Sequence, residues 1–341
     1  MMGITSVKAG SLEVAYFEAG PRDGWPCIMC HGFPYDVHAF GETAPRLAAA
    51  GARVIVPYLR GYGPTRFLSA DTPRSGEQAA LASDLLALLD ALGIPKAVVG
   101  GYDWGGRACC IVSALWPERV DALISGNSYN IQHIAQSLEP ASAEREAAMW
   151  YQYYFHSERG RRGLTQNRRE ITKLLWRMWS PCWQFDDATF EHSVTSFDNP
   201  DFVDVVIHSY RHRFGLVPGD PAVAHIETRL VAQPPIAVPT ITIDGDADGV
   251  NSGTANHAAK FAGPHRHRVF ERAGHNLPQE PQRSGRTPCS MHARWQWRND
   301  GTDFGSARQC HCARAGKRSV CTQWRCKLSL LNRRRSEFLN C

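Results

Sequence analysis

Four short motifs in this 341-residue chain carry side chains that could together perform covalent chemistry. Gly101-Tyr102-Asp103-Trp104-Gly105 sets an aspartate between glycines, directly after the apolar run Ala97–Gly100 and before a helical pattern, Arg107–Trp116. A strand that turns into a helix this sharply leaves no space for side chains beside the turn, and glycines remove them. The Asp103 carboxylate would then stand in a cleft at a helix N-terminus, where the dipole favours an anion. Alone, the pentapeptide reads equally well as an aspartate N-cap. His31-Gly32-Phe33-Pro34 follows the strand-like Cys27–Cys30, and the backbone N–H groups of Phe33 and Trp104 would serve as an oxyanion hole. Pro34 suits a cis bond in so tight a turn. Gly245-Asp246-Ala247-Asp248 follows Val238–Ile243, and Asp248 can orient a histidine, with Asp246 as the fallback. That histidine is His275, in Ala273-Gly274-His275-Asn276 after His267–Phe270.

An aspartate nucleophile restricts the reaction. A carboxylate that attacks a carbonyl forms an anhydride, whereas attack on an electrophilic sp³ carbon forms an alkyl ester with the enzyme. His275, with Asp248 on its other nitrogen, would activate the water that hydrolyses this ester. Epoxides and alkyl halides both fit. An epoxide leaves an alkoxide, which needs a proton donor; a halide needs only N–H donors. Neither route calls for a metal or an organic cofactor.

The surrounding pattern indicates what holds these residues. Short apolar runs (Leu12–Tyr16, Cys27–Cys30, Arg53–Pro57, Ala97–Gly100) alternate with helical periods such as Leu81, Leu85, Leu88, Leu89 and Leu92, which Gly93 and Pro95 stop. Strands separated by helices predict an α/β fold with a mostly parallel sheet flanked by helices. Residues 126–236 read as helical, rich in Trp, Tyr and Arg, over Ala141–Phe155 and Arg168–Trp179 for example. The expected organisation is a core in two parts, 1–125 and 237–282, a helical cap at 126–236, and a tail at 283–341. Apolar residues make up 43% and charged residues 21%, which excludes collagen-like, wholly disordered and disulfide-scaffold classes. No run reaches the ~20 apolar residues of a membrane helix, and no signal peptide is evident. Cys27, Cys30, Cys109, Cys110 and Cys182 read as reduced core thiols in a cytoplasmic protein.

The net charge of +5 is uneven. The tail holds 13 Lys/Arg against 3 Asp/Glu and six of the 11 cysteines, leaving a mildly acidic body. With no sustained apolar period, the tail reads as disordered or out of frame from about Gln282. A zinc knuckle on Cys310, Cys312, Cys321 and Cys326 has irregular spacing, and no recognition fold supports nucleic-acid binding. Losing the helix expected after His275 would leave a catalytically impaired or merely binding protein.

Nucleophile, acid and histidine follow the chain order of α/β-hydrolases. Over residues 8–282 the chain resembles their Asp-nucleophile branch, the epoxide hydrolases and haloalkane or haloacetate dehalogenases, through HGFP, RGYG, GYDWGG, GDADG and AGHN. The resemblance implies an α/β-hydrolase fold with a helical lid and two cap tyrosines. Tyr151 (in Trp150–Phe155) and Tyr210 (before Arg211) match these and would hold the epoxide oxygen and supply its proton; packing is the alternative for such crowded aromatics. His31, Pro34, Trp150 and Tyr154 are expected to line the substrate pocket. The substrate would be a small apolar epoxide or, alternatively, a halide, and the protein a monomer or homodimer. The halide reading draws on the indole of Trp104, with a second from Trp150, Trp176, Trp179 or Trp183. Arg107 could hold a haloacetate carboxylate, although a solvated helix arginine is the simpler expectation. Arg60 reads as a loop tie, and His38, His156 and His192 as surface or packing residues.

Overall fold

A computed structural model describes residues 3–251 and 253–280. The expectations for the tail, 283–341, lie outside the described residues. An antiparallel pair, β1 (Ile4–Ala9) and β2 (Leu12–Ala19), opens the chain and is followed by β3 (Trp25–Cys30). Next come α1 (Thr43–Ala49), β4 (Ala52–Pro57), the two-residue β5 (Arg66–Phe67), α2 (Gln78–Ala91), β6 (Ala97–Gly101), α3 (Asp103–Leu115) and β7 (Val120–Gly126). Seven helices then precede the next strand: α4 (Ala143–Ala148), α5 (Trp150–His156), α6 (Glu158–Gln166), α7 (Arg168–Trp179), α8 (Asp187–Val194), α9 (Phe202–His212) and α10 (Ala224–Leu230). The chain returns to the sheet with β8 (Thr240–Gly245) and β9 (His265–Phe270).

The strands form one sheet in the order β1-β2-β4-β3-β6-β7-β8-β9, with β5 beside β2. Every pairing from β4 to β9 is parallel. Central β3 and β6 are almost wholly buried, as their continuous apolar runs require under helices on both faces. The leucine period of α2 faces this core through Leu81, Leu85, Leu88 and Leu89. Its end follows expectation: Gly93 takes φ +63°, which lets its N–H return to the Asp90 carbonyl. Arg60 is a tie of greater strength than expected, donating twice to Asp84 of α2 (2.6 and 2.7 Å) and once to the Ser75 carbonyl.

Several boundaries and one burial differ from the sequence reading; the strand expected at Val238–Ile243, for one, runs Thr240–Gly245. The helix expected over Ala141–Phe155 is two, broken at Met149. The strand at HRVF begins at His265. The helix expected from Arg107 starts four residues earlier, at the aspartate itself. Cys27, Cys30, Cys109 and Cys110 are buried free thiols, but Cys182 is exposed, because it lies in the turn after α7.

Phe33 joins the sheet to the inserted helices. Its ring centroid lies 5.3–6.4 Å from those of Trp104, Tyr151, Phe155, Trp179, Phe202 and Tyr210. Aromatic pairs at such distances contribute about 0.5–1.5 kcal/mol each beyond the area they bury.

Candidate active site

Asp103 sits where β6 gives way to α3, at φ +48°. A left-handed conformation costs a non-glycine residue about 1–2 kcal/mol. The turn enforces it through Gly105 N–H to the His31 carbonyl (2.9 Å) and Gly106 N–H to the Tyr102 carbonyl (3.0 Å). A Cβ on Gly105 would stand 2.1 Å from the Cys30 oxygen, and one on Gly101 2.6 Å from the Gly105 carbonyl carbon. The two glycines are thus steric requirements of the turn. The Phe33 N–H donates to Asp103 Oδ1 at 2.9 Å. The Trp104 N–H, in the first turn of α3, has no intrahelical acceptor. The Phe33–Pro34 bond is cis.

His275 comes from the loop after β9. Its Nδ1 lies 2.9 Å from Asp248 Oδ2, and its Nε2 3.9 Å from Asp103 Oδ2 with no hydrogen-bond partner among the described residues. Asp248 also accepts from the N–H groups of Val250 (2.8 Å) and Asn251 (3.0 Å) and from the Asn127 side chain (2.9 Å). Asp246 points elsewhere, accepting from the Arg272 N–H.

Sequence reasoning missed the parts that seat this loop. The Trp179 carbonyl at the end of α7 accepts from both His275 N–H (3.1 Å) and Gly249 N–H (3.0 Å), so one helix terminus holds the acid turn and the histidine loop. Buried Glu280 accepts from Ser180 Oγ (2.6 Å), Gly274 N–H (2.6 Å) and Asn276 N–H (3.1 Å). Nothing at sequence level links Ser180 to Glu280, a hundred residues apart.

Burial opposes charge on Asp103, yet the Arg107 guanidinium, His275 and the Phe33 N–H hold its carboxyl well below the usual range. Burial likewise opposes charge on Asp248, and the His275 charge and hydrogen bonds outweigh it, lowering its pKa. For His275 burial works against protonation, but the Asp248 charge, joined by Asp103, pushes the imidazole up to about 10.

A cavity of about 400 Å³ opens onto Asp103, His275 and Tyr151. Tyr151 and Tyr210 are both buried, with centroids 5.3 Å apart and rings nearly perpendicular. The Tyr151 hydroxyl accepts from Gln152 Nε2 (3.0 Å), and Tyr210 is not among the residues that line the cavity. Burial raises the pKa of both phenols, so they are protonated at neutral pH. His31, Pro34, Trp150 and Tyr154 do not line this cavity. His31 is fully buried and accepts from the Leu59 N–H (3.2 Å), the Pro34 carbonyl accepts from the Trp176 indole (2.7 Å), and Trp150 packs on Tyr151 and Tyr154. Arg107 is a correction: it is largely buried, 3.7 Å from Asp103 Oδ2, and lines the cavity, since the early start of α3 turns its side chain back over the aspartate. Arg213 and Arg145 line it too. Burial and the Arg107 charge lower the Arg213 pKa to about 10.

Residues 26–280 match the family model described as alpha/beta hydrolase fold. A crystal structure from Klebsiella pneumoniae subsp. pneumoniae, of a protein provisionally named an epoxide hydrolase, superposes with a TM-score of 0.80 at 47% identity, covering 81% of this chain and 92% of that one. Mouse bifunctional epoxide hydrolase 2 is 36% identical over 128 residues, 37% of this chain. An epoxide hydrolase of Caballeronia sordidicola is 35% identical over 116 residues, 33% of this chain. These matches span 22% and 32% of the length of the two curated relatives.

Proposed function

The chain belongs to the α/β-hydrolase fold family, and on that premise we propose that it is an epoxide hydrolase acting through a covalent ester on Asp103. The observation that carries this reading is an ionised aspartate at a strained turn, held by the Phe33 N–H, with the free nitrogen of an Asp248-paired imidazole 3.9 Å away. Asp103 attacks an epoxide carbon, and the C–O bond breaks toward the ring oxygen. Tyr151 and Tyr210 hold that oxygen, and a phenol donates its proton to the alkoxide as it forms. Water at His275 Nε2 then attacks the ester carbonyl of Asp103. Phe33 and Trp104 N–H groups receive the negative charge of the tetrahedral intermediate. Collapse releases the vicinal diol and restores the carboxylate, and the one proton that ester hydrolysis liberates returns to the phenolate. In this scheme the helices between β7 and β8 act as a lid, and two of them, α5 and α9, carry the tyrosines.

The reaction has a built-in change of charge. Two carboxylates hold the resting imidazole protonated. Esterification makes Asp103 neutral, removes one of them, and so lowers the His275 pKa at the step that needs a base.

His275→Gln tests the scheme. With styrene oxide it should accumulate protein heavier by one substrate mass, located on the Asp103 peptide; unmodified protein together with turnover in the wild type rules out the ester route. A second reading, dehalogenation at the same aspartate, is favoured by one observation: the indole N–H groups of Trp104 and Trp179 are buried without partners among the described residues. Halide release from a short haloalkane, measured beside diol formation, decides between them.

A further inference from the structure

One charged side chain at the cavity has no task in this scheme. Arg213 is 8% exposed and sits at the end of α9. It forms no ion pair among the described residues. Its bonds are two long ones, to Gln152 Oε1 (3.4 Å) and Ser209 Oγ (3.5 Å), and its Nε has no partner. A buried guanidinium is strongly disfavoured unless its fork of N–H groups is satisfied and its charge opposed. The Tyr210 ring, 4.3 Å below, and the negative end of α9 offset part of that cost. Neither accepts the free N–H groups.

The cavity as a whole has the same imbalance. Arg107, Arg145 and Arg213 line it, and among the described residues Asp103 is its one carboxylate. Arg107 already faces Asp103, and among the described residues Arg145 and Arg213 have no such acid. Gln132, His133 and Gln152 add polar lining. An apolar substrate, as expected from the sequence, would leave these groups desolvated and unpaired.

We propose that Arg213 is a substrate-binding residue that takes a carboxylate, so that the epoxides of this site are small epoxy acids. Planar bidentate pairing with a carboxylate suits a guanidinium, and the present bonds to Gln152 and Ser209 are long enough to leave it available. The inference rests on the epoxide-hydrolase reading only for the word epoxide; the carboxylate site stands on the cavity.

The test has two arms on the full chain. In the first, hydrolysis of 3-phenylglycidate is compared with that of 3-phenylglycidamide, which has the same shape without the charge. The acid should have the higher kcat/KM by about tenfold or more, mainly through KM. This preference should fall to within about threefold in Arg213→Gln and survive in part in Arg213→Lys. Equal or better use of the amide by the wild type overturns the proposal and leaves epoxide hydrolysis standing. In the second, calorimetry compares 3-phenylpropanoate with 3-phenylpropanamide, neither of which can react. About tenfold tighter binding of the acid to the wild type supports the site even if no epoxide is opened, which would sink the catalytic reading alone. Equal affinities overturn it without recourse to any variant.

Discussion

Asp103 and His275 share one electrostatic problem, and its solution predicts a pH profile. The imidazole is protonated at rest because its raised pKa, about 10, belongs to a ring between two acids. A raised folded-state pKa means that this pairing stabilises the fold fully below the unfolded value of about 6.5. The contribution is lost as pH rises through 10. Catalysis runs the other way, since only the neutral ring can take a proton from water. In single turnovers, decay of the ester should therefore accelerate with rising pH along a limb whose midpoint lies below 10, the resting value. Asp248→Asn should move that limb down further, by removing the remaining anion, and slow the plateau through loss of ring orientation. Stopped-flow tryptophan fluorescence would follow both, and a flat profile would refute the proposed role of His275. At this scale the sequence was informative wherever chemistry dictates residue type: Asp103, Asp248 and His275 meet at hydrogen-bonding range or one water's width. It was silent on Arg213 and Glu280. Arginines and glutamates are abundant, and only tertiary contacts reveal that Glu280 has exchanged solvent for three donors while Arg213 has lost it with few partners.

Elements place these residues through their ends. The β6–α3 turn depends on Gly105, and Gly105→Ala would force its methyl group into the Cys30 carbonyl. The fold should lose about 3 kcal/mol or more, read as a lower urea midpoint; an unchanged midpoint would mean that the turn can open without cost. The α7 terminus and Glu280 do for His275 what the glycines do for Asp103. Glu280→Ala strips the acceptor from three buried donors and should cost about 2–4 kcal/mol. It should also lower kcat, because the imidazole loses its register; Glu280→Gln, which can still accept, should recover part of both. Thermal melts and steady-state rates measured together would show stability and rate falling in step or not. Periodicity found the strands and α2 because their apolar positions repeat. It merged α4 with α5, since the break at Met149 carries neither glycine nor proline. It also placed the start of α3 too late, because a nucleophile turn packs glycines where helix formers usually stand.

The described residues form a mostly parallel sheet whose strand ends present Asp103, Asp248 and His275, the proposed nucleophile, acid and base, with a run of helices inserted between β7 and β8. Alternation of strand and helix made this architecture legible. The packing of those helices was not, because aromatics at helical spacing suit a core and a binding site alike. No metal enters the proposed chemistry. Among the described residues one group, Glu77, His212 and Glu227, has ligand atoms within 4.8 Å of one another. Its carboxylates already accept from Ser75, Asp220, Gln78 and Ala79. Dialysis against EDTA should accordingly leave the rate unchanged, and a loss restored by a divalent ion would contradict the cofactor-free scheme. The clamp at Glu280 has a consequence for synthesis on the ribosome. A nascent chain that has already emerged through Asn276 owns every group that would touch substrate, yet its imidazole is unlatched until the last few codons of the clamp are read. If the proposed scheme holds, competence for turnover waits on the codon for Glu280, and a protease cutting just ahead of that glutamate should silence the enzyme without removing a single reacting atom.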